Sequence, residues 1–136
     1  MFLLDTDTCI FFMRGEEEVL ANARKEDRLS IYVSAISLFE LRVGLEKGSA
    51  KHSKLKLEKR EKLESLVGLF MVVDFGVEEA AMAARVRADL EKLGQKIGPY
   101  DTLLAGVALA KGWTMVTNNT GEFSRVKGLK VANWRS

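Results

Sequence analysis

Short apolar runs alternate along this chain with longer stretches whose apolar residues recur at helical spacing, and that alternation narrows the fold more than any single residue. The runs at 2–5, 30–33, 70–74, 113–117 and 129–132 read as strands. Helical patterns occupy 8–24, 34–47, 51–67, 77–93 and 101–111, the first broken near Gly15 and restarting at Glu16-Glu17-Glu18. Acids there suit a first helical turn, where the helix dipole is positive. Strands interleaved with helices build a parallel sheet covered by helices. The expected class is therefore α/β with a central, mainly parallel sheet, one domain over residues 1–136.

Helix by helix, the pattern gives expected inner faces. Ile36, Leu38, Phe39, Leu41, Val43 and Leu45 make the 34–47 helix largely buried. In the polar 51–67 helix, Leu55, Leu63, Leu66 and Val67 form the inner side. Val77, Ala80, Ala81, Ala84 and Ala88 allow close packing of the Ala-rich helix, and Gly94 stops it. The 101–111 helix is nearly all apolar between its ends, which makes it central, and Pro99 fixes its start.

Four acids stand in apolar settings far apart in sequence: Asp5 after Met1-Phe2-Leu3-Leu4, Glu40 between Phe39 and Leu41, Asp101 after Pro99-Tyr100, and Glu122 before Phe123. Each has a structural reading beside the functional one. Asp5 or Asp7 can simply cap the next helix. Ser37-Leu38-Phe39-Glu40 matches a capping box, although Ser34 is an equally good cap that would put Glu40 inside the helix. Asp101 can complement a helix dipole, and Glu122 can be a surface residue. Taken together the acids read differently: windows 1–13, 31–41, 97–110 and 112–124 hold no Lys or Arg, although the chain has 21. Two carboxylates ~4 Å apart repel by ~4 kcal/mol at an effective dielectric of 20. A bound cation relieves that repulsion, and all-oxygen ligands select a hard ion such as Mg²⁺ or Mn²⁺.

Other chemistries fail on inventory. The chain has one His, His52, and one Cys, Cys9, which excludes an ordinary zinc cage, an internal disulfide and a two-histidine ribonuclease. Cys9 beside Ile10-Phe11-Phe12 reads as a buried small hydrophobe. No phosphate-binding glycine loop occurs. Asp5 and Asp7 interrupt the first apolar stretch, and no run reaches the ~18 apolar residues of a membrane span. A cytoplasmic protein of a bacterium or archaeon is the simplest expectation. Net charge is only +2, but Lys47–Lys62 gathers seven basic residues against two acids. Such a segment could follow a phosphate backbone or be a solvated helix face.

Leu3-Leu4-Asp5-Thr6-Asp7-Thr8-Cys9-Ile10, Ser37-Leu38-Phe39-Glu40-Leu41 followed by Gly44, Ile97-Gly98-Pro99-Tyr100-Asp101, and Val116-Thr117-Asn118-Asn119-Thr120-Gly121-Glu122-Phe123 follow one another in the order and spacing of PIN-domain proteins. Any one of these motifs is weak; the ordered set is specific. The whole chain resembles the VapC toxins of bacterial and archaeal type II toxin–antitoxin systems. That resemblance implies a three-layer α/β/α fold and a Mg²⁺- or Mn²⁺-dependent endoribonuclease acting on structured RNA such as tRNA. It also implies a VapB-like antitoxin and a homodimer. Asp5 and Asp101 match the family's principal metal ligands, Glu40 its helix-borne acid and Glu122 its last acid; Thr117 and Asn118 are expected to orient those carboxylates or the scissile phosphate. Asp7 stands where asparagine is common, and Asn119 where many relatives carry a further aspartate.

Two rivals accompany this reading. Asp5-Thr6-Asp7 resembles the opening element of haloacid-dehalogenase-like phosphatases, but Cys9 stands where that element carries Thr or Val. A PIN-like binding module without catalysis is the other, kept open by Asn119.

Overall fold

A computed structural model describes residues 1–48 and 53–136. Among them, five strands form one sheet: β1 (Phe2–Leu4), β2 (Ile31–Ser34), β3 (Met71–Val73), β4 (Thr114–Val116) and β5 (Lys130–Ala132). Their order is β3-β2-β1-β4-β5, and every pairing is parallel. The helices are α1 (Thr6–Met13), α2 (Glu17–Arg24), α3 (Ala35–Glu46), α4 (Ser53–Leu69), α5 (Val77–Lys92), α6 (Pro99–Lys111) and α7 (Thr120–Phe123). A single 3₁₀ turn, Arg28–Ser30, leads into β2.

β1 sits at the centre because both of its faces are apolar. Successive residues of a strand point to opposite sides of a sheet. Leu3 packs on one side with Met115, Leu104, Val107, Val86 and Phe123. Leu4 packs on the other with Val33, Val116, Cys9, Leu63 and Leu66. Neither leucine has any exposed surface, and burial of each side chain stabilises the fold by ~1.5–3 kcal/mol. The sheet thus lies between a layer containing α5 and α6 and a layer built from α1 to α4, as the α/β/α expectation has it. The chain runs from β1 to β2 and β3 on one side, then crosses to β4 and β5 on the other. That reversal opens a crevice beyond the carboxyl ends of β1 and β4, where such sheets bind ligands.

Several expected details are corrected. α3 starts after Ser34, whose hydroxyl accepts from the Ile36 N–H at 3.1 Å; Ser37 lies inside the helix, so the capping-box reading fails. Only Ser37 and Leu45 of α3 are buried, and Phe39 is 53% exposed, so the helix is less enclosed than its apolar content implies. Leu55 of α4 is also exposed, whereas Leu63 and Leu66 are buried. Lys51 and His52, at the expected start of that helix, fall outside the described residues. α5 does not pack through Val77, Ala80, Ala81, Ala84 and Ala88, all of which are exposed. It buries Glu79, Ala83, Val86 and Leu90 instead, because the larger Val86 and Leu90 decide which face turns inward. α6 begins at Pro99, two residues earlier than expected, with Asp101 in its first turn. It ends at Gly112, whose φ of 70° is the left-handed cap that glycine favours.

α5 and α6 approach so closely that a Cβ on Gly106 would stand 2.6 Å from the Ala83 Cβ. Both residues are nearly or wholly enclosed, and the Ala83 backbone is as near as its side chain. Gly106→Ala should therefore destabilise the protein by ~1–3 kcal/mol through overpacking, read as a lower midpoint in urea unfolding. Ala110→Gly, lacking any such clash, should cost only the ~1 kcal/mol of helix propensity.

Candidate active site

The polypeptide leaves β1 directly into Asp5, which caps α1. Asp5 Oδ1 accepts from the Thr8 N–H at 2.8 Å, and the Asp5 N–H donates to the Val116 carbonyl at 3.0 Å. The residue is held by both the helix it begins and the strand beside it, and is only 3% exposed. Burial raises its carboxyl pKa, and hydrogen bonds from Thr117 and Thr8 offset part of that rise. The structural and functional readings of Asp5 are therefore compatible: one oxygen serves the cap, and the charge lies in the crevice.

Asp101 meets the same place from α6. Its pKa is raised to about 6 by burial first, then by the negative charges of Asp5, Glu122, Glu40 and Asp7, in that order. Four acids on three segments thus act on a fifth, and no Lys or Arg is among the groups that shift Asp101 or Asp5. The sequence windows free of basic residues are the walls of one acidic crevice.

Glu40 projects from the middle of α3 and is tied to α1. Thr6 Oγ1 lies 2.7 Å from Glu40 Oε1 and 3.0 Å from Ser37 Oγ. Glu122 sits on α7, a four-residue helix in a stretch to which the sequence pattern assigned no element. Its Oε2 accepts a short hydrogen bond from the Asn119 side-chain amide. An aspartate at 119 could not donate that bond, so the asparagine here supplies an orienting donor. Thr117 is fully buried, and its Oγ1 accepts from the Asn119 N–H at 2.9 Å. Asn118 is exposed and accepts from the Asn133 side-chain amide at 3.4 Å. Asp7 is exposed at the first turn of α1.

Every predicted acid is thus brought to one region. Sequence reasoning missed Thr6 and misjudged Ser37. Thr6 lay within the first motif, but nothing local distinguishes its hydroxyl from that of Thr8, which donates instead to the Val116 carbonyl at 3.2 Å. Cys9 is fully buried and burial pushes its thiol pKa far up, as an inert core residue requires. A cleft of about 550 Å³ runs between α5 and α6 past Tyr100 and is lined by none of the four acids.

The donor set is all oxygen, crowded and without a counter-charge, which suits a hard divalent cation. As placed, no three His, Cys, Asp or Glu side chains among the described residues converge tightly enough to form a cage. Mg²⁺ is compatible with that spacing, since it keeps several waters and uses only one or two carboxylates.

The PIN-domain family model matches residues 2–129. Two curated relatives are similar over nearly full length. The tRNA(fMet)-specific endonuclease VapC of Salmonella typhimurium is 33% identical over 98% of this chain and 97% of its own. Ribonuclease VapC2 of Rickettsia felis is 31% identical over 98% of both. Among solved structures, DNA-bound VapBC from Salmonella typhimurium superposes with a TM-score of 0.86 at 32% identity, covering 98% of this chain and 97% of that one. FitAcB from Neisseria gonorrhoeae gives 0.87 at 30%, covering 98% of each. The chain belongs to the PIN-domain family and, within it, to the VapC ribonucleases. That membership displaces the phosphatase reading of Asp5-Thr6-Asp7.

The crowding has a measurable cost in the metal-free protein. Asp101 binds its proton more tightly when folded, at about 6, than at its ordinary 3.8. Its share of stability is therefore present below 3.8 and lost as pH rises toward 6. Asp101→Asn should remove that loss, making the variant more stable than the parent by ~1–2 kcal/mol at pH 7 after allowing for solvent screening. Urea unfolding of both proteins at pH 4 and pH 7 in a chelator gives the comparison.

Proposed function

We propose that this chain is the toxin of a VapBC-type pair, a Mg²⁺- or Mn²⁺-dependent endoribonuclease that cleaves structured RNA, with tRNA the leading substrate class. The observation that carries the reading is the gathering of Asp5, Glu40 and Glu122 around Asp101 with no basic partner among the described residues. Two relatives named as tRNA(fMet)-specific endonucleases, at 33% and 32% identity, support the substrate class. Solved VapBC complexes support a VapB-like antitoxin as partner. A homodimer in the cytoplasm completes the proposal; no helix among the described residues is long and apolar enough to cross a membrane.

Asp5 and Asp101 would hold the ion, and Glu40 and Glu122 would complete its surroundings through water or hold a second ion. Bound there, a divalent cation lowers the pKa of a water and neutralises charge on phosphate oxygens. The chain's own groups supply the rest. The Thr8 N–H and Thr117 hydroxyl hold Asp5 in one orientation. Asn119 holds Glu122, so the late acid does not swing into solvent. Lys54, Lys56, Lys59, Arg60 and Lys62 lie along α4, all but the half-buried Lys56 exposed, and are the candidate contacts to the RNA backbone.

Asp5→Asn and Asp101→Asn should each lower Mg²⁺-dependent RNA cleavage by at least ~10²-fold, the scale of losing a principal electrostatic group, with the circular-dichroism spectrum unchanged. Mn²⁺ should raise the parent's melting temperature and leave that of Asp101→Asn in place. Full cleavage by either variant would discard the proposal.

Replacing Lys59 and Arg60 with Gln should weaken RNA binding and flatten its dependence on salt by ~2 in the log–log slope if both contact phosphate. Filter binding at graded KCl reads this, and an unchanged slope removes α4 from the RNA path.

A further inference from the structure

Among the described residues, Glu40 is the only one of the four acids whose carboxylate is tied by a side-chain hydroxyl from a different helix. Thr6, the first residue of α1, places Oγ1 2.7 Å from Glu40 Oε1 and 3.0 Å from Ser37 Oγ. A hydroxyl carries one proton and accepts at its lone pairs. The shorter contact is to a carboxylate oxygen, which can only accept there, so Thr6 donates to Glu40. With its one proton given to Glu40, Thr6 can only accept at its 3.0 Å contact with Ser37 Oγ, so that contact requires the Ser37 proton. Ser37 is fully buried, one turn before Glu40 on the same helix, and cannot offer its hydroxyl to solvent instead. The three residues form a directed chain from Ser37 through Thr6 to Glu40 Oε1, in which each hydrogen bond polarises the next.

From this we infer that Thr6 and Ser37 are positioning residues that lock Glu40 so that only Oε2 is free to face the crevice. The inference rests on the ribonuclease reading above and adds a device to it. Thr6 follows Asp5 directly, so the same backbone that fixes Asp5 at the end of β1 also fixes the donor that fixes Glu40. Two acids on separate elements are thereby held at one spacing by adjacent residues. A glutamate inside a helix otherwise samples many rotamers, and ordering it costs conformational entropy each time a ligand binds. The hydroxyl chain removes that freedom in advance. Hydrogen-bond partners behind metal-binding carboxylates typically alter metal affinity or activity by ~10–100-fold when removed.

The test uses the full chain. Thr6→Val keeps the shape and removes the hydroxyl; Thr6→Ser restores a hydroxyl on a smaller side chain. Thr6→Val should lower kcat on a structured RNA by ~10–100-fold with little change in KM, and weaken Mn²⁺ binding in calorimetry. Thr6→Ser should recover most of both. Placed on Glu40→Ala, the Thr6→Val change should have no further effect, since its target is gone. Ser37→Ala, which leaves Thr6 in place, should show a smaller loss in the same direction and stands in for Thr6→Val if that variant does not fold. Parental kcat and Mn²⁺ affinity in folded Thr6→Val overturn the inference, as does equal loss in Thr6→Ser and Thr6→Val. A parent that cleaves no RNA counts against the ribonuclease reading instead, and Mn²⁺ affinity then still decides the role of Thr6.

Discussion

β1 is three residues long and pairs on both edges, Leu3 opposite Tyr32 and Met115, Leu4 opposite Val33 and Val116. With both of its inner residues fully enclosed, a shift of one position would carry each leucine to the wrong face of the sheet. The register is therefore strongly specified, and with it the position of the next residue. Asp5 enters the crevice because it follows a strand that cannot slide. Asp101 and Glu122 reach the same crevice from α6 and α7, and Glu40 is drawn to it by a hydroxyl of α1. The site is built outward from that strand end.

The crevice opposes the stability of the fold around it. Burial first, and then the charges of the neighbouring carboxylates, raise the affinity of Asp101 for its proton to a pKa of about 6. The core compensates through ordinary means: two leucine-centred clusters on the faces of the sheet, and the close Gly106–Ala83 contact between α5 and α6. Those clusters are apolar, and none of the four acids is a member of them. The scaffold can thus tolerate a strained charge arrangement without adjusting the atoms that create it.

How much of this was legible depended on whether the information was local. The strand–helix alternation gave all five strands and the larger helices, since each carries its own period in the sequence. The four acids were legible because each follows or sits in an apolar, cation-free stretch. Burial within helices was less legible. Apolar content placed Phe39 and Leu55 inside, yet both are exposed, because which side of a helix turns inward depends on what it packs against. Ser37 shows the same limit: its spacing to Glu40 suits a cap, but its hydroxyl meets Thr6, a residue 31 positions away. α7 was missed because four residues show no period.

The double engagement of Asp5 has a further consequence. An asparagine at that position keeps a side-chain oxygen able to accept from the Thr8 N–H and remains a good cap, whereas an alanine loses the cap together with the charge. On the proposed reading of Asp5, silencing and unravelling are thus separable at one atom of one residue. A harmless twin of this protein, preserved in shape and in every surface a partner could grip, lies a single amide away.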